Sequence, residues 1–438
     1  MSQTYLLMSK FTEIMTSALG IVLAIVILLA MVTIHEFGHY LAGKWLGFKI
    51  NEFSIGFGPA LFKKRSKKTG ELFALRVIPL GGYCAFDGED EEGEEEKQKK
   101  AEEEQPFEEF PEDTQPENEG GVSESTITEK TFSEESLQEV SETKKEEYPE
   151  PKGKMFNDQA PWKRIIVLIA GATMNYLLAL FLIMIMFACC GQPIYRVVAP
   201  EEIVTASADS GEDVYGTTDG KYALLTGDLV EDINGKRIYL VTDFIDALNG
   251  KKAGEEVRLG VLRKNEKGNY QKTTVIVTLP EDANFKSSSD TSPICRLLGV
   301  TTGLKGEPVK QGFRSVPRAF EYSVKVGGVI LRTLGELLTG KLGLESMGGP
   351  VTTIKVASEE ASGGLFRFLN IAAFIGVNLA VFNLLPVPAL DGCKVIFCII
   401  EWIRKKPVNR NVEAIIHFIG IIALFAFAIL VDILQFAR

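Results

Sequence analysis

The sequence predicts an α-helical membrane protein with about four transmembrane helices, a membrane-associated β-hairpin on the cytoplasmic side and one extracytoplasmic α+β domain. Three observations carry that expectation. Apolar stretches at about 14–40, 165–195, 368–390 and 414–431 are each long enough to cross a hydrocarbon core. Residues 88–150 hold 25 Asp/Glu against 6 Lys and no Arg, a net of −19, while the whole chain carries −11, which leaves +8 for everything else. Residues 225–279 alternate apolar and polar side chains around an Asn-Gly turn, as paired strands do. The 438 residues therefore describe a mildly basic membrane protein with one acidic insert. The lipid bilayer is its first expected partner, and no nucleic-acid partner is expected.

The first unit, 1–87, combines the first transmembrane helix with the hairpin. Its helix should run from about Ile14 to Leu46, with no charge between Glu13 and Glu36. Near the far end stands Ile34-His35-Glu36-Phe37-Gly38-His39. Residues four apart share a helix face, so His35 and His39 can offer two imidazole nitrogens to one metal ion. Glu36 is placed beside them to take a proton from an attacking water. Two neutral imidazoles plus a carboxylate suit zinc with one coordination position left open. Only three histidines occur in the chain and two are here; ionisable groups inside a membrane helix cost enough to imply a use. The apolar segment is too long for a signal-peptide core and shows no small-residue cleavage site.

Lys44, Lys49, Lys63, Lys64, Arg65, Lys67 and Lys68 follow this span, and only Lys10 precedes it. By the positive-inside rule the loop is cytoplasmic and the N-terminus outside. Arg404, Lys405, Lys406 and Arg410, between the last two spans, fall on the same side, so the metal motif lies toward the cytoplasm. Leu72 to Phe86 reads as a strand, a Pro-Gly-Gly turn and a second strand. Such a hairpin offers an edge to an extended peptide. The insert, 88–158, has too few apolar groups to bury and reads as a solvated cytoplasmic loop.

The second transmembrane unit, 159–195, carries Gly171, which suits close helix packing, and Asn175, which should face the site or another helix. Residues 196–305 form the soluble unit. A strand, the turn at Asn234-Gly235, a strand, a helix at Thr242–Leu248 and two further strands follow in an order that resembles a PDZ domain. Such domains bind an extended peptide or a C-terminus. Residues 306–365 should be an interfacial helix and linker, with Phe320, Val324, Leu331, Leu334 and Leu338 at helical spacing.

The last unit, 366–438, holds the third and fourth spans. The third ends in Asn378, Asn383, Pro386, Pro388 and Asp391-Gly392. A carboxylate closing an uncharged span is costly unless paired or bound to a cation, which makes Asp391 the third zinc ligand. The two prolines break the helix, as membrane proteins allow where backbone lines a cavity. His417 is a rival ligand without a partner at metal spacing and reads as a hydrogen-bonded membrane histidine. The six cysteines form neither a disulfide framework nor a paired metal site, so buried thiols are expected.

Together these motifs resemble the site-2 protease family of intramembrane zinc metalloproteases, in its bacterial RseP type. The matching residues are His35-Glu36-Phe37-Gly38-His39, Gly56-Phe57-Gly58-Pro59, Ile78-Pro79-Leu80-Gly81-Gly82-Tyr83, Gly171 with Asn175, and Asn383 through Asp391-Gly392. The resemblance implies Zn²⁺ held by His35, His39 and Asp391, with Glu36 as general base. It implies that Asn378, Asn383, Pro386 and Pro388 position unwound substrate, and that Leu72, Leu75 and Arg76 clamp it as a strand. It implies single-pass membrane substrates already shortened by another protease, such as anti-sigma factors or remnant signal peptides, in a bacterial inner or plasma membrane. Where the family commonly has a second Gly and a His after Asp-Gly, this chain has Cys393 and Lys394; Cys393 is an extra soft ligand or a small packing residue. The competing readings are a catalytically degenerate membrane PDZ scaffold, which has no need of all four site residues, and a transporter, which four spans without repeated halves do not suggest.

Overall fold

The computed structural model describes residues 2–89, 148–196, 214–215, 224–225, 227–252, 254–265, 267–279, 306–310, 315–343 and 347–436. Most of the acidic insert (90–147), much of the expected soluble unit (197–213 and 280–305 above all) and Cys295 lie outside the described residues.

Among the described residues, four helices are long and apolar enough to cross a membrane: Met15–Leu46, Pro161–Cys189, Leu365–Asn383 and Arg410–Gln435. They belong to α1 (Ser2–Leu46), α2 (Pro161–Cys189), α6 (Leu365–Asn383) and α8 (Arg410–Phe436). The uncharged run expected as one span to 195 is helix only to Cys189. Gly191, at φ +116°, turns the chain, and Gln192–Arg196 becomes strand β3. Small residues set the helix spacing. Gly376 of α6 lies against Ala179 and the Asn175 carbonyl of α2, and Gly38 of α1 lies against the Ala170 carbonyl.

Strands β1 (Ile50–Arg65) and β2 (Leu72–Phe86) form a separate sheet against α1. The two halves of β2 were expected to pair with each other. Instead Ile55 pairs with both Gly82 and Leu75, so the first part of β1 lies between them. Leu72 and Leu75 are flanked on their other side by Arg65 and Phe62. A Pro-Gly-Gly turn fixes a reversal but not the partner, and residues 50–55 supply it. Arg76 ties the sheet together, donating to Ser54 Oγ (2.8 Å), Gly58 O (2.8 Å) and Glu52 Oε1 (2.7 Å).

Beyond α2, β4 (Val214–Tyr215) pairs with β5 (Leu224–Leu225). A larger sheet has the order β10 (Gly306–Val309), β3, β6 (Leu229–Ile233), β8 (Glu256–Lys264), β9 (Tyr270–Thr278), with β7 (Lys236–Arg237) on β6. Helix α3 (Val241–Leu248) packs Phe244 and Leu248 against Val230, Leu259, Val261 and Val275, so the period-2 apolar positions share one face with the helix. The sheet thus draws in 192–195 and Gly306–Val309, on either side of the expected 196–305.

Helix α4 (Ser315–Leu338) anchors that sheet to the spans. Its Arg318 donates to Glu231 Oε1 (2.7 Å) and Gln192 Oε1 (3.0 Å). Ala319, Tyr322, Val326 and Ile330 face α2 and α6, whereas the expected stripe of Phe320, Val324, Leu331 and Leu338 is exposed. Two helices unread in the sequence complete the fold, α5 (Pro350–Ser362) against α1 and α7 (Asp391–Arg404) against α2.

Candidate metal centre

Helix α1 presents His35 and His39 one turn apart, 8 % and 7 % exposed. Their partner arrives from the other end of the chain. After Asn383, α6 unwinds into 384–390, where Pro386 and Pro388 supply no backbone donor. Asp391 then opens α7, at the end of the helix dipole that favours an anion. Gly392 is required there because a Cβ would stand 2.5 Å from the Leu384 carbonyl.

His35 Nε2 lies 3.0 Å from Asp391 Oδ2, His39 Nε2 3.4 Å from the same oxygen, and the two Nε2 atoms 3.1 Å apart. A tetrahedron with ligand bonds near 2.0–2.1 Å has edges of about 3.3 Å. The three atoms thus stand close to three corners of such a tetrahedron, so they could hold a zinc ion and would leave one position open. Among the described residues, His35, His39 and Asp391 are the group of His, Cys, Asp and Glu side chains close enough to hold a metal; Cys393 is buried but not part of it.

The surroundings fit the same ion. His39 Nδ1 donates to Val167 O of α2 (2.8 Å), which leaves Nε2 as the unprotonated nitrogen that a metal would take. Asn175, fully buried on α2, sets its Nδ2 3.4 Å from His35 Nδ1 while its Oδ1 has no partner among the described residues. The amide's two ends have the same shape. Once His35 ligates through Nε2, its Nδ1 carries the proton and Oδ1 of a reversed amide accepts it, which satisfies both atoms. Gly171 makes the space: a Cβ there would stand 2.8 Å from His35 Cε1 and 2.7 Å from His39 Cε1. Sequence reading gave Gly171 only a packing role, because the face of α2 that meets α1 is set by the tertiary fold.

The Glu36 carboxylate lies within electrostatic reach of His35, His39 and Asp391 and accepts a hydrogen bond from the Cys84 backbone. Gly82 brings the same strand close, for a Cβ there would lie 3.3 Å from Glu36 Cγ. The segment of β2 next to Glu36 is therefore 82–86. Leu72, Leu75 and Arg76 occupy the interior of the sheet, paired on both sides or bonded within it. At the far end of 82–86, burial alone would raise the Asp87 carboxyl, but Asn51 and Lys49 hold it below its ordinary value.

Of the other expected residues, Asn378 is half-buried on α6 and Asn383 is its last residue. Pro386 is exposed and Pro388 half-buried in the connector to Asp391. His417 on α8 is hydrogen-bonded, as expected, rather than a ligand. Its Nδ1 accepts from the Ala389 N–H (3.0 Å), and Ala389 sits at φ +78°. Gly420 lets α8 close on Pro388, whose carbonyl oxygen a Cβ would meet at 2.9 Å.

The sequence profile described as peptidase family M50 matches residues 23–427. The zinc metalloprotease RasP of Bacillus licheniformis is 28 % identical, over 89 % of this chain and 92 % of its own length. The regulator of sigma-W protease RasP of Bacillus subtilis is 29 % identical, over 91 % and 93 %. A putative zinc metalloprotease of Agrobacterium fabrum is 28 % identical, over 93 % and 94 %.

Proposed function

Because the chain belongs to peptidase family M50, the site-2 protease family, we propose that it hydrolyses peptide bonds within transmembrane segments of single-pass membrane proteins. It is a zinc metalloprotease. The observation that carries the reading is the near-tetrahedral set of His35, His39 and Asp391 ligand atoms with Glu36 beside it. His35, His39 and Asp391 would hold a zinc ion, which would polarise the scissile carbonyl and lower the pKa of the attacking water toward about 7. Glu36 takes the proton of that water and returns it to the leaving amine. Val167 and Asn175 keep both imidazoles in the ligating tautomer.

A helical substrate hides its carbonyls in i to i−4 hydrogen bonds and has to unwind first. Segment 82–86, beside Glu36, is the strand to which the unwound backbone is added. Asn378 and Asn383 at the end of α6, with Pro386 and Pro388 in the connector, position the unwound substrate. The substrates are anti-sigma factors or remnant signal peptides, with the N-terminus of the enzyme outside a bacterial inner membrane and the centre toward the cytoplasm. The sheet with α3 acts as a PDZ-like unit that takes a peptide or C-terminus.

The test is cleavage of truncated single-pass substrates in liposomes, with and without a zinc chelator, beside Glu36→Gln. Chelation and Glu36→Gln should each abolish cleavage, the latter by about 10²–10⁴-fold with zinc still bound. Cleavage by Glu36→Gln at the wild-type rate overturns the assignment of the base. Absence of bound zinc from active protein overturns the metal centre.

A further inference from the structure

Where α2 and α8 begin, two cavities share a wall made by Arg164 and Arg410. The first, about 420 Å³, sets four cations (Arg164, Lys405, Lys406, Arg410) against the single carboxylate of Glu401. The second, about 440 Å³, continues inward over Leu168, Cys398, Ala414 and Ile421 and ends on Ala389 and His417. Both volumes are in the range of small-molecule sites, about 300–1,000 Å³. The first is charged; the second carries the Lys394–Glu89 pair (2.7 Å) and Glu413 besides the shared arginines and is otherwise lined mainly by apolar side chains, and the two are contiguous. That is the profile of an amphiphile.

Arg164 is 3 % exposed. One of its terminal nitrogens donates to Glu401, while Nε and Nη1 are buried without a hydrogen-bond partner among the described residues. Glu401 is shared, since it also takes Arg410 Nη2 (3.1 Å) and the Val408 N–H (3.0 Å); Arg410 Nη1 pairs with Glu413 (2.9 Å), so four cations meet two carboxylates here. A guanidinium with an open edge is a fork for a phosphate. Trp162 and Trp402, 45 % and 57 % exposed, mark this level as the boundary between hydrocarbon and headgroups. Basic pockets between transmembrane helices at that level bind anionic headgroups.

We propose that the paired cavities bind one anionic phospholipid, its phosphate on the open edge of Arg164 with Lys405 and Lys406 beside it and an acyl chain along Leu168, Ala414 and Ile421. The occupant fills the space between α8 and the α2–α7 pair, next to the His417–Ala389 contact that holds the connector to Asp391.

The full-length protein in nanodiscs of phosphatidylcholine mixed with phosphatidylglycerol provides the test, read as lipid retained through delipidation by native mass spectrometry. Arg164→Gln is a poor variant because it leaves Glu401 buried beside a lost partner. Lys405→Gln with Lys406→Gln removes exposed charge only, Ala414→Phe fills the apolar cavity, and Lys63→Gln with Lys64→Gln removes exposed charge elsewhere. Wild type should retain phosphatidylglycerol about tenfold over phosphatidylcholine, as should the Lys63/Lys64 variant, while the other two lose the preference. Soluble glycerol phosphate should not displace the lipid. Equal retention of both lipids, or the preference surviving in the Lys405/Lys406 and Ala414 variants, overturns the proposal. Loss in the Lys63/Lys64 variant reduces it to diffuse surface attraction, and displacement by glycerol phosphate makes the site one for free phosphate; either result overturns it.

Discussion

Gly171→Ala tests whether the ligand cluster is shaped by α2 as well as by its own ligands. The added methyl would stand 2.7–2.8 Å from the Cε1 atoms of His39 and His35, where ordinary contact begins near 3.4 Å. The methyl would stand closer still to His39 Nε2, so both imidazoles would have to retreat by at least about 0.6 Å, set against a tolerance of roughly 0.2 Å in ligand distances. Overpacking of this kind costs about 1–3 kcal/mol, but Ala gains up to about 1 kcal/mol of helix propensity over Gly, so the global stability change is small. The loss falls on the metal. Zinc retained against graded chelator should weaken by about 10–100-fold, with cleavage falling in step. Gly335→Ala is the matched control, since no heavy atom lies within 4 Å of its new Cβ. Wild-type zinc affinity and cleavage in Gly171→Ala would refute the reasoning.

Other elements make separate predictions. His417→Phe leaves the Ala389 N–H without its acceptor and should weaken zinc binding by about tenfold, whereas His417→Asn, with an acceptor oxygen in the place of Nδ1, should restore much of it; equal zinc affinity in wild type and His417→Phe would remove His417 from the support of Asp391. In the sheet that carries β6, burial alone would raise Glu231, but Lys272 and Arg318 outweigh it and hold its carboxyl below the ordinary 4.5. Its contribution to stability is complete above that value and is lost as pH falls through the lower folded one. Glu231→Gln should therefore flatten the acid limb of the thermal midpoint against pH, and an unchanged limb would contradict the ion-pair reading.

The parts of this site that local rules govern were legible in the sequence. His35 and His39 follow from helical spacing, and Asp391 stood out as a charge closing an uncharged span. The hidden parts depend on which distant surfaces meet. Gly171 and Asn175 are ordinary membrane-helix residues until α2 turns that face to α1. The pairing of β2 depends on residues 50–55, lying between its halves, which no turn signal encodes. Helix α7 was hidden because its first turn is the Asp-Gly that read as the end of a span and its last turn runs into the basic loop.

The unwound connector joins these two kinds of information. A continuous helix through 384–390 would carry Asp391 along the axis of α6. The break lets α7 start afresh with its carboxylate against α1. Prolines explain why the helix stops but not where the chain goes next. That direction is set by Gly392 against Leu384, by Gly420 against Pro388, and by His417 holding Ala389 in the left-handed region. Three contacts between separate elements thus fix one carboxylate. The geometry of the centre should accordingly respond to substitutions on α8 that touch neither the metal nor the substrate.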